Sequence, residues 1–184
     1  MVNSDNASSA ENQQERLIKI GWIVGFTDGE GCFSVGFIKQ PDRPDRRGYR
    51  LGVQVWCEFA VTQGEKSLAS LHELQKFFGV GSIYLNRRYD NHKEHLRRYV
   101  VRNRSDLKRK IIPFFERYPL KTAKNQDFRK FVDCFRLIDT NQHLTKNGLI
   151  QLNCIANTMN RCKNRTNDLM RILNDHTRGS SLKK

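Results

Sequence analysis

At 184 residues, 38% hydrophobic and 10% aromatic, the chain is long enough for one ordinary domain and too apolar to be disordered throughout. A net charge of +14 favours a polyanionic partner, and the excess is uneven: residues 1–30 hold two basic and five acidic side chains, residues 31–120 hold 18 and 9, and residues 121–184 hold 13 and 5. Five cysteines with no Cys-x-x-Cys pair indicate neither a disulfide framework nor a zinc site and fit a reducing compartment.

The first 15 residues are polar, Ser/Asn/Gln-rich and slightly acidic, unlike a signal or transit peptide, so the protein is expected to stay intracellular where it is made, in a bacterial cytoplasm or inside an organelle. Residues 1–12 read as a disordered leader. A first helix is expected from about Gln13 to Thr27, apolar at helical spacing, and it runs straight into Asp28-Gly29-Glu30-Gly31. Two carboxylates at a helix C-terminus oppose the macrodipole and call for a compensating positive charge. A hard divalent cation held by carboxylate and backbone carbonyl oxygens is the natural candidate. Gly21 and Gly25 lie four apart on one face, where a second helix can come close; the segment is too short to span a membrane.

Next comes a strand with Phe33, Val35 and Phe37 inward and Ser34, Gly36, Ile38 and Gln40 outward, then the turn-rich loop Pro41 to Gly48. The return strand alternates most cleanly. Leu51, Val53, Val55, Cys57, Phe59 and Val61 share one face; Arg50, Gln54, Trp56, Glu58, Ala60 and Thr62 share the other. Leu68, Leu71, Leu74 (or Gln75) and Phe78 give a helix stopped by Gly79 and Gly81. In the second hairpin Ile83, Leu85, Tyr99 and Val101 face in, while Tyr84, Asn86, Arg88, Arg98, Val100 and Arg102 face out. The charged turn with Asp90, His92 and His95 reads as a solvated loop. Ser105 is the expected N-cap of a third helix, bent or ended near Pro113, and two more helices are expected over about Thr122–Asp139 and Thr145–Asp175, with Leu169, Met170, Ile172 and Leu173 as core. Residues 177–184 form a basic tail.

The expected fold is therefore α+β: α-ββ-α-ββ-α units forming one antiparallel sheet with helices on one face, plus C-terminal helices, in a single domain over residues 13–176. The outer sheet face carries Arg, Gln, Asn, Tyr, Trp, Ser and Thr rather than Glu and Lys, so it is suited to hydrogen-bond a partner. An antiparallel ribbon fits the DNA major groove, with Arg and Gln placed for bidentate contacts to base edges. Arg87, Arg88, Arg97, Arg98, Arg102, Arg104, Lys108, Arg109 and Lys110 would supply phosphate contacts. Trp56 either stacks on a base or sugar or covers a neighbouring Arg stem.

Ile23-Val-Gly-Phe-Thr-Asp-Gly-Glu-Gly31 resembles the signature of the LAGLIDADG homing endonucleases. Val61-Thr-Gln63, Phe78-Gly-Val-Gly81, Pro119-Leu-Lys121-Thr, His143-Leu-Thr, Gly148 and Met159-Asn160 extend the resemblance in order over about residues 15–165. With one copy of the signature, the resemblance is to the single-motif, homodimeric type. It implies that signature helices of two subunits pack at a dimer axis through Gly21, Trp22, Gly25 and Asp28. It also implies that Glu30, with the Gly29 carbonyl, binds metal beside the scissile phosphates, and that Asp28 serves helix-end structure and the interface. Gln63 and Lys121 would complete the catalytic set by organising water or steadying charge. Ser67 stands where such relatives can carry a basic residue, with Lys66 the candidate substitute.

The expectation is a Mg²⁺-dependent, sequence-specific double-strand DNA endonuclease, intron-encoded, homodimeric, cutting a long near-palindromic site to leave short 3′ overhangs. The resemblance implies two or more ions per dimer, with Mn²⁺ substituting and Ca²⁺ binding without cleavage. Bases would be read by Ser34, Ile38, Gln40, Arg50, Gln54, Trp56, Glu58, Thr62, Tyr84, Asn86, Arg88, Arg98 and Arg102. The rival is a non-cleaving binder on the same scaffold, an RNA-splicing maturase or a DNA-binding regulator. An intact Glu30, Gln63 and Lys121 favour cleavage, because a binder has no need of the acid.

Overall fold

The computed structural model describes residues 4–40, 49, 51–87, 94–160 and 169, with side chains from Glu11 onward. In chain order the elements are α1 (Ser4–Glu30), β1 (Gly31–Lys39), β2 (Val53–Gly64), a 3-10 turn (Glu65–Ser67), α2 (Leu68–Phe78), β3 (Ser82–Asn86), β4 (Leu96–Val101), α3 (Arg104–Asp106), a π-helical turn (Leu107–Ile111), α4 (Ile112–Arg117), α5 (Lys124–Asp139), a second 3-10 turn (Gln142–Leu144) and α6 (Lys146–Asn157). The strands form one antiparallel sheet in the order β1-β2-β4-β3, so the fold is α+β as expected. Among the described residues no helix is long and apolar enough to cross a membrane.

Two compact units divide the chain. The first comprises Met1–Cys32 and Phe59–Asn125. Its core grows from the period-two pattern of β2 and β4: Phe59, Val61, Tyr99 and Val101 are buried, with Phe59 opposite Val101 and Val61 opposite Tyr99 in register. Leu71, Leu74 and Phe78, at helical spacing on α2, are buried too. Phe59 meets Phe78, Tyr99 and Phe115 edge-on with centroids 6.1, 6.2 and 5.5 Å away, the arrangement aromatic quadrupoles favour. Burial holds the Tyr99 phenol protonated well above its usual range, and its hydroxyl donates to Val80 O at 2.8 Å. Helix α2 stops where Gly79 takes φ +64°, a left-handed conformation that glycine adopts without penalty.

The second unit comprises Phe33–Glu58 and Gln126–Lys184. Phe33 on β1 packs against Phe128 and Phe131 of α5 at 5.0 and 5.4 Å. Phe135, Cys134, Leu149 and Leu152 are buried as well, and burial pushes the Cys134 thiol up to about 12. Thr145 caps α6, its Oγ1 accepting from Gly148 N at 3.1 Å.

Several boundaries differ from expectation, each for a local reason. Helix α1 starts at Ser4, inside the stretch expected to be disordered, and runs past Thr27 to Glu30. Asn103, rather than Ser105, caps the helical segment at 104: its Oδ1 accepts from Ser105 N at 2.9 Å and Asp106 N at 3.2 Å. The π turn lies just before Pro113, which brings no N–H to the helix ladder. The expected helix 145–175 ends at Asn157; Thr158 Oγ1 turns back onto Ile155 O, and Asn160 has φ +55°. Of the later positions only Leu169 is described, and it is buried. The loop 41–48, Arg50, Arg88 and the turn residues 89–93 lie outside the described residues.

Leu74→Ala in this core is expected to cost about 2–5 kcal/mol and Phe59→Ala about 3–5 kcal/mol, because neither site can collapse around the missing atoms. Urea unfolding followed by circular dichroism measures both, with exposed Lys76→Ala staying within about 0.5 kcal/mol of the wild type.

Candidate active site

The C-terminal end of α1 gathers the chemistry. Its two acids occupy different environments. The Asp28 carboxylate accepts three hydrogen bonds, from Lys121 N at 2.7 Å, Thr122 N at 3.2 Å and Thr122 Oγ1 at 2.7 Å. Burial alone pushes this carboxyl up, but those bonds and the charge of Lys124 outweigh it and hold it below its ordinary value of 3.8. Glu30, two residues on, is exposed. Gly31 completes the corner: a Cβ there would lie 2.6 Å from Thr27 Cγ2 and 2.7 Å from Thr27 O, so only glycine lets β1 leave the helix this closely.

The positive charge that this helix end needs comes from Lys124. Its ammonium donates to Thr27 O at 3.0 Å and Gly29 O at 3.2 Å. The sequence pattern singles out Lys121, which is exposed and offers its backbone N–H to Asp28, and passes over Lys124. A signal for Lys124 exists in the sequence. As the first residue of α5 it opposes that helix's own dipole, as Asp28 and Glu30 oppose that of α1, and misplaced charges of opposite sign are natural partners.

Gln63 sits half-buried near the end of β2, opposite Arg97 on β4. Arg97, expected as a phosphate contact, is committed elsewhere: its Nε and Nη2 grip Glu65 at 2.6 and 2.8 Å, and this pairing holds the Glu65 carboxyl below its usual range. Glu94 accepts from Lys66 N at 2.6 Å, so the chain after Gln63 is fixed by side chains rather than by a basic residue at Ser67.

On the outer sheet face of the first unit, Thr62, Arg98 and Tyr84 form one row across β2, β4 and β3, with exposed Asn86 beyond and Arg102 exposed just past β4. In the second unit Gln40 Nε2 donates to Gln54 Oε1 at 2.6 Å, and Ile38 is exposed. Two positions expected to read bases are buried instead. Glu58 is 1% exposed and Ser34 is also buried. On the same strands the Trp56 indole lies directly on Gly36, where a Cβ would come within 2.3 Å of the ring.

Among the described residues nothing covers one face of α1. A Cβ at Gly21, Gly25 or Gly29 meets nothing within 4 Å, while Leu17, Ile18 and Trp22 are 57%, 65% and 38% exposed. Trp22 stacks on Phe26 at 5.2 Å. Among the described residues no group of three or more His, Cys, Asp or Glu could hold a metal. The donor set at the helix end is one exposed carboxylate and a backbone carbonyl, hard oxygens that suit an ion keeping most of its water.

Comparison with known proteins decides the family. The LAGLIDADG endonuclease family model matches residues 23–135, which takes in α1's acidic end, both hairpins and most of α5. The chain belongs to the LAGLIDADG endonuclease family. Among relatives of this family, a probable intron-encoded endonuclease 2 of Neurospora crassa is 31% identical over 138 residues, covering 75% of this chain and 26% of the relative. A probable intron-encoded endonuclease, Cox1-I1b, of Schizosaccharomyces pombe is 33% identical over 118 residues, covering 64% and 27%. The LAGLIDADG chain thus spans about a quarter of the length of the curated relatives it matches. Among solved structures, the homing endonuclease I-TnaI matches with TM-score 0.68 and 38% identity over 85% of this chain and 97% of its own. I-SmaMI bound to cleaved DNA matches with TM-score 0.68 and 29% identity over 83% of this chain and 47% of its own.

The lowered Asp28 makes a pH prediction for this LAGLIDADG chain. A carboxyl whose folded-state value lies below its unfolded one contributes stability that is complete above the unfolded value, here 3.8, and is lost as pH falls through the folded one. Asp28→Asn should cost about 1–3 kcal/mol near neutrality and flatten the acid limb of stability against pH, as measured by urea unfolding at stepped pH.

Proposed function

We propose that this chain is a sequence-specific double-strand DNA endonuclease, working as a pair of copies with Mg²⁺ at a long, near-palindromic site, leaving short 3′ overhangs and encoded within an intron. The observation that carries the reading is the division between the two acids of α1: Asp28 is consumed by backbone hydrogen bonds, while Glu30 is presented outward beside helix-end carbonyls. An acid left exposed at the negative end of a dipole has no structural use and fits a cation-dependent task. Support also comes from I-SmaMI, which has been solved bound to its uncleaved DNA target in the presence of calcium ions.

Glu30 and the Gly29 carbonyl would hold the divalent ion, with water and substrate phosphate filling the other positions. When bound, the ion supplies Lewis-acid stabilisation of developing charge and a more acidic water for phosphodiester hydrolysis. Lys124 and Lys121 place ammonium charge at the phosphate, and Gln63 orients water with its amide. The basic outer face carries the duplex: Thr62, Arg98, Tyr84, Asn86, Arg102, Gln40, Gln54 and Ile38 read base edges or shape, flanked by phosphate contacts.

The bare glycine face of α1 argues for the second copy. A stretch without side chains at Gly21, Gly25 and Gly29, bordered by exposed Leu17, Ile18 and Trp22, is shaped for close approach of another helix.

Glu30→Gln should retain DNA binding and lose at least a hundredfold in cleavage, on the order of losing a major electrostatic contribution to the transition state; plasmid cleavage with Mg²⁺ against EDTA reads it. If the wild type binds a target-bearing plasmid and leaves it uncut, the chain is a non-cleaving binder. A second expectation separates folding from pairing. Gly25→Leu meets open space within the chain and replaces a poor helix former, gaining up to about 1 kcal/mol of helix stability. The same side chain should block association, seen as a monomer by sedimentation at concentrations where the wild type is dimeric.

A further inference from the structure

The helix end that carries Glu30 already holds a cation of the protein's own. The Lys124 ammonium donates to Thr27 O at 3.0 Å and Gly29 O at 3.2 Å, two of the last carbonyls of α1, at the negative end of the helix dipole. These are the oxygens that a divalent ion at Glu30 would draw on. The lysine is delivered there by a chain of contacts. Its own N–H donates to Thr122 Oγ1 at 3.2 Å, and that hydroxyl in turn donates to Asp28 at 2.7 Å. An ammonium and a divalent ion sharing one carbonyl would repel strongly at such close range.

From this geometry we infer that Lys124 is a resident counter-ion: it occupies the Gly29 carbonyl in the metal-free protein and yields that oxygen when a divalent ion binds. The inference rests on the reading of Glu30 and Gly29 as metal ligands. Its consequence is that metal and DNA load together. A compact charge on a flexible four-carbon stem can swing from the carbonyl to an arriving phosphate, freeing the oxygen as the substrate completes the ion's shell. Without DNA, the lysine keeps the ion's affinity low.

The test is Mn²⁺ binding to the full chain without DNA, followed by loss of the free-ion electron paramagnetic resonance signal. Lys124→Met should bind Mn²⁺ tighter on the order of tenfold, from removing one screened positive charge beside the site. The gain should vanish in the Glu30→Gln/Lys124→Met double variant. Folded Lys124→Met that binds Mn²⁺ no better than the wild type overturns the inference. A gain that survives Glu30→Gln keeps the counter-ion and strikes out Glu30 as ligand, which separates the two readings. Should Lys124→Met fail to fold, the wild type decides: acetylation of the Lys124 amine, read by mass spectrometry, should rise several-fold with excess Mg²⁺ while that of Lys76 stays constant. Unchanged Lys124 labelling overturns the inference.

Discussion

Negative charge concentrated at one helix terminus governs the structure around it. Helix α1 ends with two carboxylates, Asp28 and Glu30, among its last carbonyls, an arrangement no isolated helix would favour. The segment 121–124 relieves it. Backbone amides of Lys121 and Thr122 satisfy Asp28, and the Lys124 ammonium covers the carbonyls of Thr27 and Gly29. Because these partners lie far along the sequence, the helix terminus and the start of α5 are specified together. Glu30 is left out of the arrangement and stays exposed.

Much of the fold was legible because its signals are periodic and local. The alternation through β2, the leucines of α2 and the stop at Gly79 rest on spacing alone, and Val53, Val55, Cys57, Phe59, Val61, Leu71, Leu74 and Phe78 are buried where spacing puts them. What was not legible depends on contacts at a distance. Nothing local marks Arg97 as the partner of Glu65 rather than of a phosphate, since the ion pair spans 32 positions. Nor does alternation reveal that Glu58 and Ser34, expected on the outer face, are buried. The motif identified the acids, but the choice of Lys124 over Lys121 at the carbonyls is a tertiary fact.

The outer face is consequently less uniform than its composition suggests. In the first unit the row Thr62, Arg98 and Tyr84 offers a hydroxyl, a guanidinium fork and an aromatic ring side by side, three different ways of contacting a base or sugar. In the second unit Gln40 and Gln54 are already hydrogen-bonded to each other, which orients both amides before any partner arrives. Pre-oriented amides lose less side-chain freedom on binding than independent ones and discriminate more sharply between donors and acceptors.

Strand β3 closes the sheet on one side, only five residues long and exposed along nearly its whole length, with Tyr84 and Leu85 presented to solvent. A free sheet border of this kind is a template for unwanted strand addition, and brevity is one of the devices that limits it. Arg87 immediately after the strand and Arg98 directly across from Tyr84 add a second device, mutual repulsion between molecules approaching edge to edge. That protection is Coulombic, so it fades as added salt shortens the Debye length. Raised ionic strength thereby lowers the barrier to self-adhesion at this border.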